Sequence, residues 1–113
     1  MESNEVTVVI TYTALPGMAE VARDALAALI GTVVEQEPAC RGIQLFRGSD
    51  DPHRILLTEQ WESEAAYSGP HLRTPHLLAF RERAPAFLAG PPEITYWKQV
   101  SVAEPANGAP REV

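Results

Sequence analysis

The order of strand-like and helix-like hydrophobic patterns along this chain constrains its fold more than any other feature. Residues 6–13 (VTVVITYT) are β-branched and alternate in steps of two, which is typical of a strand covered on both faces. Apolar residues then recur at steps of three and four over residues 18–33, which predicts an amphipathic helix of about five turns. Because Pro38 cannot extend a helix, this one is expected to end by Glu37.

Two further strands are predicted to form a hairpin. Residues 42–48 (GIQLFRG) and 54–62 (RILLTEQWE) alternate in steps of two, and the Ser-Asp-Asp-Pro sequence between them is a turn signal. The two strands are therefore expected to pair antiparallel. One face of the second strand carries Ile55, Leu57, Glu59 and Trp61.

Two helices and a last strand complete the predicted order. Ser63 is expected to cap a short helix through Tyr67, and Thr74 and Pro75 are expected to begin the next helix as its N-cap and first residue. Residues 94–102 (ITYWKQVSV) alternate again and predict a fourth strand. The apolar face of the later helix carries Leu77, Phe80, Ala84, Phe87 and Leu88.

The predicted order fits one antiparallel four-stranded sheet with helices on one face, which is the ferredoxin-like, split-βαβ arrangement of the α+β class. In this arrangement the second face of the sheet has no cover, and Val9 and Phe46 would leave apolar surface exposed. We therefore predict a homodimer in which two sheets pack face to face about a two-fold axis. Residues 1–103 are predicted to form the domain, and the polar residues 104–113 a flexible tail.

Composition excludes several classes of function. The net charge of -6 argues against nucleic acid, whose phosphates favour a basic surface. No apolar run approaches the roughly 20 residues that span a bilayer, and the N-terminus is acidic where a secretory signal is basic. A single cysteine, Cys40, excludes an internal disulfide and is expected to be a small buried side chain. These features predict a cytoplasmic protein that does not bind membranes.

Several short motifs resemble those of one known family. Together they are similar to the antibiotic-biosynthesis monooxygenase family of dimeric α+β barrels, which includes bacterial quinol monooxygenases. The resemblance extends over about residues 6–100. The motifs are Pro16-Gly17 before the first helix, EPAC at 37–40, EQWES at 59–63, HLRTPH at 71–76, and Phe80.

The resemblance implies the same fold, with a ligand cavity between sheet and helices in each subunit. It also implies oxygenation without metal, flavin or haem. In members that oxidise polyketides, the residues that correspond to Trp61 and Tyr67 help to hold a polycyclic phenol and its proton. Leu57 stands where those members carry an asparagine.

Trp61, Tyr67, His71 and His76 are the candidate catalytic residues. An indole can stack on a planar substrate and donate its N–H, but a core tryptophan or a half-buried tyrosine is the alternative in each case. A neutral imidazole can remove a substrate proton near pH 7, although both histidines could instead bond to the backbone or line a dimer contact. Two histidines without a clear third ligand make a poor metal site, so no metal is predicted.

Leu57, Glu59 and Phe80 are candidate substrate contacts. If Glu59 lies in the cavity, burial would raise its pKa. If its face of the strand meets the other subunit, it is an ion-pair partner for a residue such as Arg47, and this second interpretation is favoured. Arg81 is expected on a solvated helix face.

Three functions are compatible with these observations. The first is a cofactor-independent monooxygenase that oxidises a quinol, anthrone or related phenol with O₂. The second is a small-molecule isomerase on the same scaffold, which would use a histidine or carboxylate as proton shuttle. The third is a non-catalytic ligand-binding dimer, which a cavity filled by its own side chains would favour, since fold alone does not establish function.

Overall fold

The fold is described from a computed structural model that covers residues 3–106. The elements follow the predicted order along the chain. They are β1 (Val6–Thr13), α1 (Ala19–Gln36), β2 (Cys40–Arg47), β3 (Arg54–Trp61), α2 (Glu64–Ser68), α3 (Pro75–Arg83) and β4 (Glu93–Trp97), with 3₁₀ turns at Pro70–Arg73 and Ala84–Ala86.

The four strands form one antiparallel sheet in the order β2-β3-β1-β4. The two central strands are thus the first and the third along the chain, and β2 and β3 form the predicted hairpin. This topology confirms the ferredoxin-like α+β fold.

Side chains on one face of the sheet form the core with the helices. Alternate residues of β1 and β3 are buried on this face, and Val8 and Ile55 are almost wholly inaccessible to solvent. Leu26 of α1 and Phe80 of α3 belong to the same core. Cys40 is buried as predicted, as a free thiol.

Strand boundaries differ from the prediction at the two edge strands. β4 ends at Trp97 rather than at residue 102, because Trp97 already pairs with Thr7 and β1 begins only one residue earlier. β2 begins at Cys40, before the predicted residue 42, and its register shifts between Cys40 and Gly42. Of the predicted tail at 104–113, residues 107–113 lie outside the described residues.

The helix starts follow the predicted positions, but only one uses a side-chain cap. The Ser63 hydroxyl accepts a hydrogen bond of 3.1 Å from the Ala66 N–H, which confirms it as the cap of α2. Thr74 occupies the N-cap position of α3, but its hydroxyl donates to the carbonyl of His71 at 2.9 Å instead of capping the helix. This bond stabilises the 3₁₀ turn that carries His71.

The second face of the sheet is uncovered in the single chain. Phe46 and Trp97 are 47% and 58% exposed on this face, and Val9 and Leu56 are half-buried beside them. Phe46 pairs with Leu56 across the hairpin, so the apolar surface is continuous there. Among residues 3–106 no helix has the length and apolar character needed to cross a membrane.

Candidate functional site

A cavity of about 560 Å³ lies between the inward face of the sheet and the helices. Residues 90–92, a Gly-Pro-Pro sequence, form part of its wall. Most of the wall is apolar, which is typical of sites that bind small molecules with a few polar groups to orient them. The polar and charged side chains of the wall are Tyr12, Glu59, Tyr67, His71 and Arg81.

The cavity brings together most of the residues predicted for the site. The wall includes Leu57, Glu59, Tyr67, His71 and Phe80. β3 supplies the first two because they share its inward face, and α2, the following 3₁₀ turn and α3 supply the others. Trp61 and His76 lie outside this wall.

Trp61 packs behind the cavity and is 1% exposed. Its ring lies 4.6 Å from that of His71 and 5.7 Å from that of Tyr67, measured between centroids. Its indole N–H donates to Glu59 at 2.8 Å. Trp61 therefore supports three residues of the wall, and its contact with a substrate stays a prediction.

Glu59 presents a buried carboxyl to the cavity. Burial raises its pKa to about 7, the hydrogen bond from Trp61 opposes this rise, and the charge of Glu37 adds to it. A carboxyl with such a pKa exchanges protons near neutral pH, so it can act as an acid or as a base.

The interpretation of Glu59 as an ion-pair partner, with Arg47 as an example, required its strand face to meet the other subunit, but that face lines the cavity. In the register of the hairpin, Arg47 of β2 lies opposite Ile55 near the start of β3, whereas Glu59 lies near the end of β3, opposite Ile43. The alternative prediction, a cavity carboxyl with a raised pKa, is the one that the structure supports.

His71 is joined to His76 through the carboxylate of Glu37. His71 Nδ1 lies 3.0 Å from both carboxylate oxygens, and His76 Nε2 lies 2.6 Å from Oε2. Burial lowers the pKa of His71, and the hydrogen bond to Glu37 opposes this effect. A lowered pKa keeps the His71 imidazole neutral at pH 7, the form that can accept a proton.

Two tyrosines complete the polar part of the wall. Burial raises the pKa of Tyr12 to about 12 and also raises the pKa of Tyr67, and the charge of Glu59 adds to both effects. Both phenols therefore stay protonated at neutral pH and can donate hydrogen bonds to an anionic ligand. The rings of Tyr67 and His71 lie 5.1 Å apart between centroids.

Sequence reasoning missed three polar residues at this site. The alternation of β1 could have identified Tyr12 as a site residue, because Tyr12 shares a face with Ile10 and pairs with Ile55. Arg81 is exposed, as expected of a solvated helix face, and it also lines the cavity. No local pattern indicates the contact of Glu37 with the two histidines, because only the tertiary fold brings the end of α1 to them.

Within residues 3–106, no group of three or more His, Cys, Asp and Glu side chains is arranged to hold a metal ion. His71 and His76 each bond instead to the carboxylate of Glu37. The arrangement can do proton-transfer chemistry, since an acid, a neutral imidazole and two phenols surround or adjoin one apolar space.

A small ferredoxin-like α+β domain with a ligand-sized cavity between sheet and helices is the class that this fold and site define. The chain belongs to the antibiotic biosynthesis monooxygenase family, whose family model matches residues 5–83. This match confirms the family resemblance of the sequence motifs.

Solved structures share the fold over most of the chain. PA3566 from Pseudomonas aeruginosa is 30% identical, with a TM-score of 0.78 over 89% of this chain and 99% of that one. Rv0793 from Mycobacterium tuberculosis is 26% identical, with a TM-score of 0.74 over 88% of this chain and 99% of that one.

A curated relative matches part of the same region. An uncharacterized protein of Synechocystis sp. (strain ATCC 27184 / PCC 6803 / Kazusa) is 32% identical over 74 residues. The match covers 63% of this chain and 50% of that protein, so it spans half of the relative's length.

Proposed function

We propose that this protein is a cofactor-independent monooxygenase that oxidises a quinol, an anthrone or a related phenol with O₂. The observation that carries the proposal is a largely apolar cavity whose wall combines His71, whose pKa is lowered, with the two protonated tyrosines. A neutral base and two hydroxyl donors are the groups needed to form and hold a phenolate. Membership of the monooxygenase family supports the general class of reaction.

The reaction needs one proton acceptor and an enclosed site. His71 removes a proton from the substrate, and the tyrosine hydroxyls donate hydrogen bonds to the anion. The anion passes one electron to O₂, the substrate radical and superoxide combine to form a peroxide anion, and this anion takes the proton back from His71. For an anthrone, the CH₂ group becomes CH–OOH, which loses one water to give the ketone of a quinone. Apolar walls exclude water from the anion and orient the ring.

We also propose that two copies pack through the second face of the sheet. The exposed Phe46 and Trp97 and the half-buried Leu56 give that face an apolar surface that a second copy would cover. The cavity lies on the opposite side of each sheet, so both sites stay accessible in such a dimer.

Oxygen uptake tests the proposed function directly. The purified protein is mixed with a panel of quinols, anthrones and phenols while dissolved O₂ and product mass are followed. We expect at least one substrate to consume one O₂ per product, and His71→Ala to reduce kcat by about 10²-fold or more. His53→Ala is the matched control, since His53 lies in the turn before β3, outside the cavity wall. No turnover across the panel would overturn the proposal.

Isomerisation is the second candidate, and a specific observation favours it. Glu59, with a pKa of about 7, and the neutral His71 lie in the same wall, and two such groups can take a proton from one carbon and return it to another. Anaerobic turnover separates the two functions, because an isomerase works without O₂ and an oxygenase stops. The condition that would favour a non-catalytic dimer is not met, since the cavity is open rather than filled.

A further inference from the structure

Side chains from three separate segments meet behind one part of the cavity wall. Glu37 follows the last turn of α1, His71 lies in the 3₁₀ turn, and His76 lies in the first turn of α3. Of the three, only His71 lines the cavity. Exposure of the side chains rises outward, from 5% at His71 through 12% at Glu37 to 17% at His76.

We infer that Glu37, held in place by His76, fixes His71 in the tautomer that carries its proton on Nδ1, and so leaves Nε2 as the basic nitrogen for a ligand in the cavity. Glu37 and His76 are thus positioning residues that act through His71. The inference rests on the proposed function in one respect, because that function supplies the substrate proton that Nε2 removes.

The tautomer follows from the distances at Glu37. An ionised carboxylate only accepts hydrogen bonds, and His71 Nδ1 lies 3.0 Å from both of its oxygens, so Nδ1 must be the donor. Neutral imidazole carries a single N–H, which leaves a lone pair on Nε2. Within residues 3–106, Nε2 of His71 makes no hydrogen bond to the protein, so this nitrogen stays available to a ligand.

His76 and Thr74 hold this arrangement in place. His76 Nε2 donates to Oε2 of Glu37 at 2.6 Å, which gives the carboxylate a second donor and restricts its rotation. The Thr74 hydroxyl donates to the carbonyl of His71, which fixes the backbone that carries the ring. Trp61 packs against the same ring from β3. The imidazole is therefore constrained from several sides.

The carboxylate also stabilises the charge that forms during proton removal. When Nε2 accepts a proton, His71 becomes an imidazolium whose Nδ1–H still points at Glu37, and the proton stays on His71. The charged or titratable groups around His71 are Glu37 from the end of α1, His76 and Arg81 from α3, Tyr67 from α2 and Glu59 from β3. Among these groups, Glu37 bonds directly to the His71 ring, and so it stabilises the imidazolium.

Imidazole NMR of the whole protein tests the tautomer without any substrate. With ¹⁵N-labelled histidine, the ring nitrogens of His71 are assigned by comparison with His71→Gln. We expect neutral His71 to be protonated at Nδ1 in the wild type and to lose this uniform state in Glu37→Ala, which removes the acceptor. Protonation at Nε2 in the wild type would overturn the inference, and so would an unchanged tautomer in the variant.

Kinetics test whether the arrangement serves the reaction. We expect Glu37→Gln to lower kcat by about 10²-fold with little change in KM, while the exposed matched control Glu35→Gln stays at the wild-type value. His76→Leu removes the donor to Glu37 and should lower kcat, whereas His76→Gln keeps an N–H donor and should restore most of it. Equal kcat in His76→Leu and wild type would contradict the role of His76.

The NMR and kinetic experiments together distinguish a failure of the inference from a failure of the proposed function. If the tautomer is as inferred and yet no phenol is oxidised, the proposed function fails and the positioning of His71 stands. If phenols are oxidised but Glu37→Gln, with an unchanged circular dichroism spectrum, retains full kcat, the inference fails and the function stands.

Discussion

The indole N–H of Trp61 donates a hydrogen bond of 2.8 Å to Glu59, and both side chains are buried. This bond links an aromatic residue behind the cavity wall to a carboxyl in the wall. Changes at Trp61 will therefore reach the cavity through Glu59, whether or not the indole contacts a substrate.

Substitution Trp61→Phe should raise the pKa of Glu59 above its value of about 7. The indole donor stabilises the ionised carboxylate, and removing it leaves burial unopposed. Side-chain ¹³C NMR of glutamate across a pH titration measures the change. The matched control is Trp97→Phe, because Trp97 is exposed and its N–H bonds to Thr95. A Glu59 carboxyl that titrates at an unchanged or lower pH would contradict this prediction.

Substitution Glu59→Gln should remove a pH-dependent loss of stability. The folded pKa of about 7 lies above the ordinary glutamate value of 4.5, so the native state binds the proton more tightly and the wild type loses stability as pH rises through that window. Between pH 4.5 and pH 8, the free energy of unfolding of the variant should rise relative to that of the wild type by up to about 3 kcal/mol.

Urea unfolding at several pH values measures this difference. Glu82→Gln, an exposed position on α3, is the control and should follow the wild-type pH profile. If the difference in unfolding free energy between Glu59→Gln and wild type is independent of pH, then Glu59 titrates at an ordinary value.

Substitution Ala84→Leu should impair ligand binding and leave the fold intact. Ala84 lines the cavity, and three added carbon atoms would occupy space that a ring needs. We expect KM to rise about tenfold, or calorimetric affinity to fall as much. Ala86→Leu adds the same atoms at an exposed position two residues further on and should bind as the wild type does. Equal effects of both variants would mean that the ligand binds elsewhere.

Substitution Phe46→Asp should shift the protein from dimer to monomer. The charge would be desolvated between two sheets, although it is harmless on an open surface. Sedimentation velocity at micromolar concentration measures the change. Val21→Asp introduces the same charge at an exposed position on α1 and should remain dimeric. A wild-type protein that sediments as a monomer would refute the dimer itself.

The fold could be predicted from the sequence because its signals are local. Alternation identified β1 and β3 as strands, and Pro38 marked the end of α1. The end of β4 could not be predicted in this way, because the alternation continues past Trp97 while the partner strand does not.

The site was only partly predictable for a similar reason. Alternation placed Leu57 and Glu59 on one face, but whether that face met a cavity or a second subunit depended on tertiary packing. Glu37 was noted as a helix end and as part of the EPAC motif, but not as a site residue, although it bonds to both histidines. Contacts between residues so distant in sequence leave no local pattern.

The part of the cavity wall formed by residues 90–92 has a consequence for the kinetics of ligand entry. Gly90 has a φ of 79°, which favours glycine, and the two prolines that follow have φ fixed by their rings. The two prolines limit the backbone entropy that this segment can lose, so its ordering adds little cost when a ligand arrives. Association should therefore proceed in a single fast phase, and differences in affinity among ligands should arise in their dissociation rates.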